Sequence, residues 1–137
     1  MDRAEALARL ERSPVAHLAT TRPDGGPHLV PVTFALDADR IVHMIDQKPK
    51  STTRLQRLVN IAANPRASLL VDHYNDDWAR LWWVRVDGMA QVVEDGPDWE
   101  AARACLTSKY HHYQDRPPQG PAVLITIEKV IGWVGSG

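Results

Sequence analysis

Apolar residues recur at helical spacing near the start of the chain. Ala4, Leu7, Ala8 and Leu10 share one stripe, and Asp2 followed by Glu5 has the form of a capping box, so a helix is predicted over residues 2–12. After Ser13-Pro14 the period changes. "VAHLATT" and "PHLVPVTFAL" read as strands joined by "RPDGG", whose glycines supply the positive φ of a tight turn. Asp37-Ala38-Asp39 predicts the next turn and "RIVHMI" a third strand. A helix is then predicted from Ser51 to Ala63, stopped by Asn64-Pro65. "RASLLVDHY" predicts a fourth strand and "NDDWA" a polar turn. "RLWWVRVDGMAQVVE" predicts a long fifth strand, with Gly88 marking a bulge.

Trp99, Ala102, Leu106, Tyr110 and Tyr113 return to helical spacing and predict a third helix behind Pro97. "QDRPPQGP" is too rich in proline for regular structure. "AVLITIEKVIGWVG" closes the chain as a sixth strand, bent near Lys129. Hairpins outnumber crossover helices, so the prediction is an α+β fold: a six-stranded antiparallel barrel with flanking helices. The chain has 137 residues, which suits one domain, 1–137.

Composition narrows the function. A formal charge of -1 argues against a nucleic-acid binder. The apolar runs are too short to span a bilayer, and the first residues lack a secretory pattern, so a cytoplasmic protein away from the membrane is expected. The single Cys105 has no neighbouring ligands at zinc spacing, and no metal site is predicted. There is no G-x-S-x-G, Walker loop or Rossmann glycine motif. No catalytic residue is identified, so the chemistry is expected to come from a cofactor.

The charge that matters is local. "QKPKSTTRLQRL" places Lys48, Lys50, Arg54 and Arg57 at a predicted helix start, where the backbone already carries roughly half a positive charge. With Ser51 as cap, the first N–H groups and the Ser51 and Thr53 hydroxyls form an oxyanion cradle that Lys48, Lys50 and Arg54 can close. A bound polyanion resolves the conflict, because each charge-assisted hydrogen bond contributes about 1.5 to 3 kcal/mol. The competing reading is that these side chains reach into water. Arg57, one residue off the Lys50/Arg54 face, is read as solvated or paired with an acidic neighbour.

The stretches "HLATTRPDGGPHLVPVTFALDADRIVHMI", "KPKSTTRLQRLVNIAANPRASLLVD" and "WWVRVDGMAQVV" together resemble the split β-barrel proteins related to pyridoxamine 5'-phosphate oxidase. With the ending "KVIGWVGSG", the likeness is greatest to the deazaflavin-dependent branch, the F420-dependent oxidoreductases. The resemblance implies a homodimer with flavin or deazaflavin in a groove between subunits. It puts the cofactor phosphate at Lys48, Lys50, Ser51 and Arg54, and the ring along His28, Leu29, Val30, Pro31 and Val32. It also implies hydride transfer from reduced coenzyme F420 to a small conjugated or heteroaromatic substrate. FMN-dependent chemistry and a non-catalytic F420 carrier are the alternatives. The oxidase itself has a Ser-Arg-Lys string where this chain has Lys48-Pro49-Lys50-Ser51, which argues against a pyridoxal-making role.

Other residues stay open between two readings. Trp82 and Trp83 fall on opposite faces of one strand, so at least one is core or interface. Trp83 and Arg85 share a face and are cofactor candidates, Arg85 alternatively forming a surface ion pair. "PVTF" equally fits an ordinary edge strand, since Pro31 lacks the N–H of an interior ladder. Asp76-Asp77 is read as turn chemistry and His111-His112 as surface.

Overall fold

The structure is a computed structural model that describes residues 1–47 and 55–136. Helix α1 (Arg3–Arg12) is capped by Asp2, whose carboxylate accepts from the Glu5 N–H at 2.8 Å. It buries Ala6 and Leu10, one turn apart. Strands β1 (Ala16–Thr21) and β2 (Pro27–Val32) form the predicted hairpin. Its turn closes through Arg22 N–H to the Gly26 carbonyl at 2.7 Å, with Gly25 at φ 89°. Only glycine adopts that angle without strain.

The run read as one strand from Pro27 to Leu36 is two. Strand β3 (Ala35–Asp37) begins after a corner at Thr33-Phe34. The corner's backbone groups are satisfied by side chains instead of by a neighbouring strand. The Thr33 carbonyl accepts from His43 at 2.9 Å, the Phe34 N–H donates to the Tyr110 hydroxyl at 3.1 Å, and Lys109 donates to the Phe34 carbonyl at 3.0 Å. Backbone groups bonded this way are unavailable to a ladder, so the strand ends there. The chain then passes from pairing with β1 to pairing with β4 (Arg40–Met44).

Helix α2 (Gln56–Ala63) is shorter than predicted. Leu55 has extended backbone, φ -62° and ψ 144°, so the helix starts there and not at Ser51. Among the described residues no side-chain oxygen caps it. Arg57 therefore lies in its first turn, and Lys48, Lys50, Ser51 and Arg54 lie outside the described residues. Buried Asn60 fastens α2 to the sheet, accepting from Gln56 at 2.7 Å and donating to Thr20 at 3.0 Å.

Strand β5 (Arg66–His73), the short 3-10 turn at Trp78–Arg80, and β6 (Trp82–Val93) follow as expected. In that turn Asp77 accepts from the Ala79 N–H, which bears out the reading of "NDDWA". Helix α3 (Pro97–Lys109) and the short α4 (His111–Asp115) replace the single predicted helix. Tyr110 between them is extended, because its hydroxyl is held at the Thr33-Phe34 corner. Strand β7 (Ala122–Val134) pairs with β6 and β4.

The sheet has seven strands, not six, in the order β2-β1-β5-β6-β7-β4-β3, antiparallel at every pairing. The ladder is open, with β2 and β3 as its edges, and the corner joins those edges covalently. Pro31 sits in edge strand β2, where a residue without an N–H is tolerated. The register of β6 against β7 shifts between Asp87 and Gly88, leaving Glu128 as the extra residue. A Cβ on Gly88 would overlap the Thr126 carbonyl oxygen, so the bulge and the glycine require each other.

The main core lies inside the curled sheet, where Leu18, Phe34, Ile41, Leu69 and Val86 meet Leu10 of α1 and Leu58 and Ile61 of α2. A second cluster packs Val42, Met44 and Leu124 against Ala102, Leu106 and Tyr113. Strand β4 is thus covered on both faces, which places His43 in a dry environment beneath α2. Among the described residues no helix is long and apolar enough to cross a membrane.

Candidate functional site

A cleft of about 510 Å³ opens between the β2 end, the β4 end and the start of α2. Its walls include Pro31, Val32, Thr33, His43, Arg57 and Tyr113. Gln47 and Leu55, the described residues on either side of the basic segment 48–54, also line it.

The wall is built around a buried histidine. His43 is 4 % exposed, with Nδ1 2.9 Å from the Thr33 carbonyl oxygen and Nε2 2.8 Å from an Arg57 Nη1. A carbonyl only accepts, so Nδ1 carries the proton and Nε2 offers its lone pair to the Arg57 N–H. His43 is therefore neutral. Burial pushes its pKa down to about 4, against the opposing hydrogen bond to Thr33, and the Arg57 charge lowers it further. Half-buried Arg57 is itself pushed below its ordinary value by burial, with the Asp46 carboxylate opposing that shift. An arginine stays charged under such a shift. No ion pair to Arg57 is present among the described residues.

The opposite wall has a directed hydrogen-bond chain. Tyr113 Oη is 2.7 Å from Asp46 Oδ1 and 2.8 Å from Thr33 Oγ1. Because the carboxylate accepts, Tyr113 donates to Asp46 and accepts from Thr33. Burial pushes the Tyr113 phenol up to about 12, and bonding to Asp46 adds to this. Thr33 thus links both walls, through its carbonyl to His43 and through its hydroxyl to Tyr113.

The sequence candidates divide. Pro31 and Val32 line the cleft, whereas His28, Leu29 and Val30 do not. His28 is half-buried on the inner face of β2, and its Nδ1 has no partner among the described residues. Burial lowers its pKa, as do the charges of Arg22 and Arg57. Leu29 is on the other face, 66 % exposed. Trp83 and Arg85 lie on the outer face of β6, away from the cleft of their own chain. Arg85 bonds both oxygens of Asp87, at 3.1 and 3.2 Å, and Ser68 donates to the same carboxylate at 2.7 Å. The surface ion pair is the arrangement observed. Asp87 is held below its ordinary pKa by Ser68 and Arg85, which outweigh its burial.

Arg57 corrects the sequence reading most directly. It is half-buried and, among the described residues, hydrogen-bonds a histidine fourteen positions earlier and no carboxylate, with Asp46 acting on it through space. His43, Thr33, Asp46 and Tyr113 were not singled out as site residues. One signal was available: a histidine inside "RIVHMI", a strand with no alternation, must be buried and must find partners.

The profile of the family described as pyridoxamine 5'-phosphate oxidase matches residues 3–134. No curated protein matches the chain in sequence. Among solved structures, a conserved hypothetical protein from Mycobacterium tuberculosis is 25% identical, with a TM-score of 0.77 over 98% of this chain and 85% of that one. An FAD-binding protein from Mesorhizobium loti is 24% identical, with a TM-score of 0.79 over 100% of this chain and 96% of that one. A heme-binding protein from Mycobacterium smegmatis is 21% identical, with a TM-score of 0.76 over 97% of this chain, which spans 54% of that protein. The open antiparallel sheet with its helices is consistent with a split barrel. With nearly its whole length matched by the profile, the chain belongs to the pyridoxamine 5'-phosphate oxidase family.

Proposed function

We propose that the chain is an F420-dependent oxidoreductase, binding the deazaflavin cofactor in the cleft beside Arg57 and passing a hydride to a small conjugated or heteroaromatic substrate. The observation that carries this reading is the Arg57 guanidinium, fixed by a neutral partner in the first turn of α2. An arginine paired to a carboxylate has its charge compensated. Arg57 makes no direct carboxylate pair among the described residues, Asp46 acting on it through space, so its guanidinium is open to a ligand anion, and the first-turn N–H groups of α2 lie beside it. The donor set fits a phosphate or carboxylate.

In this reading Arg57 holds the cofactor phosphate, and the 48–54 segment adds Lys48, Lys50, Ser51 and Arg54. A cofactor with several carboxylates as well as a phosphate makes use of that many cations, which favours F420 over FMN. Pro31 and Val32 border the ring, with His28, Leu29 and Val30 further along the same strand. The cofactor supplies the hydride chemistry when bound. The protein orients it, excludes water and keeps Tyr113 protonated beside Asp46.

The reading includes a homodimer. The outer sheet face exposes Leu29, Leu70, Met89 and Trp133, an apolar surface that a second copy would cover. Trp83 and Arg85 lie on this face, so across such an interface they would approach the other subunit's cofactor.

Flavin is the second reading, favoured by the fold's likeness to an FAD-binding protein. Parallel titration of the purified protein with F420 and FMN separates the two, tighter FMN binding overturning the cofactor assignment. Turnover of reduced F420 with enone and nitroaromatic acceptors, followed by the return of cofactor absorbance, tests catalysis. Tight F420 binding without turnover would identify a carrier.

A further inference from the structure

A second cleft, of about 580 Å³, lies between the last turn of α1 and the ends of β1, β5 and β6. It shares no lining residue with the Arg57 cleft. Its volume falls in the range of small-molecule sites, about 300 to 1,000 Å³. We propose that it binds a small planar anion, an aromatic or heteroaromatic carboxylate.

Three features carry this. First, the wall is a series of planar groups. Arg9 lies over the Trp82 ring at 5.1 Å, and His73 stacks on Trp82 with centroids 6.0 Å apart and planes 18° apart. Arg9 is held flat by donating to Glu5 at 2.9 Å, so the platform exists before a ligand arrives. Second, the rim carries one cation without a partner: Arg12 is exposed and makes no hydrogen bond or ion pair among the described residues, and exposed His17 also lines the cleft. The one carboxylate in the lining is Asp72. Third, the floor is fixed from outside the cleft. Lys109 donates to the Ser13 carbonyl at 2.8 Å, and the Ser13 hydroxyl donates to the Arg9 carbonyl at 2.9 Å. The chain therefore turns sharply into Pro14 and leaves a concavity.

The helix dipole alone explains part of this arrangement. Basic residues in a last turn are favoured by about 0.3 to 1 kcal/mol each, which accounts for Arg9 and Arg12 being on this helix end. It does not account for an aromatic platform and a histidine meeting them from three strands. Aromatic rings and guanidinium planes accept a flat ligand by stacking, and Arg12 supplies the charge that selects a carboxylate.

Isothermal titration with 2-naphthoate tests the proposal, with 2-naphthamide as the neutral control. Wild-type protein should bind one naphthoate saturably. Arg12→Ala removes an exposed side chain that the fold does not need, and it should weaken binding about tenfold, as should the amide. Arg57→Ala should leave naphthoate binding unchanged. Absence of saturable binding overturns the proposal, as does equal affinity of wild type and Arg12→Ala. Loss of binding in Arg57→Ala would also overturn it, by assigning the ligand to the other cleft.

Discussion

Arg57 and Arg85 are half-buried arginines on opposite sides of the sheet, and their partners differ in charge. Arg85 is held by both oxygens of Asp87, and Ser68 supports that carboxylate. Arg57 is held by the lone pair of a buried, neutral His43. Both side chains are positioned, but among the described residues Arg57 has no direct carboxylate partner, Asp46 acting on it through space beside the open cleft. Hydrogen bonding and charge pairing are separate decisions: an arginine oriented by a neutral acceptor is prepared for an anion, whereas one oriented by a carboxylate is already satisfied.

The largest expected effect concerns His43 itself. Folded His43 titrates at about 4, against 6.5 for the ordinary group. Above both values its contribution is complete. As pH falls below the ordinary value the unfolded chain takes up the proton first, so stability declines until the folded group also titrates. The loss attributable to His43 is roughly 3 kcal/mol. Urea denaturation at neutral pH and near the lower value should show wild type losing about that much more than His43→Leu. Equal losses would mean that His43 is not held neutral.

Next comes Arg57→Ala, which should weaken F420 binding by about 1.5 to 3 kcal/mol and flatten its salt dependence. Unchanged affinity would place Arg57 with Arg85, among arginines committed to structure. Tyr113→Phe removes the donor to Asp46 and should lower stability by about 1 kcal/mol, read from the denaturation midpoint. Arg85→Ala should cost less than about 1 kcal/mol of stability, because its ion pair is partly exposed. A larger loss would show that the Asp87 network carries the sheet.

Where a structural cause is local, the sequence reading and the structure agree. The Asp2 cap and the glycine turn of the first hairpin each follow from residues within a few positions of one another, and a glycine inside a strand run marks the irregularity at Gly88, although its partner, the Thr126 carbonyl, lies across the ladder on β7. The misses share a different cause. The corner at Thr33-Phe34 is made by His43, Lys109 and Tyr110, and no alternation within "PHLVPVTFAL" records that. Tyr110 keeps helical spacing in the sequence yet leaves the helix, because its hydroxyl is anchored at the corner. The start of α2 follows extended Leu55, and the serine read as its cap lies outside the described residues. For the candidate site, Pro31 and Val32 were legible from the family resemblance, but the His43–Arg57 contact required β4 and α2 to be packed together first.

A crystal structure of the protein with F420 tests the central claim most directly. The account predicts the cofactor phosphate within hydrogen-bonding distance of the Arg57 guanidinium, with the Arg57–His43 contact intact. A phosphate seated elsewhere, with Arg57 turned away from it, would contradict the account.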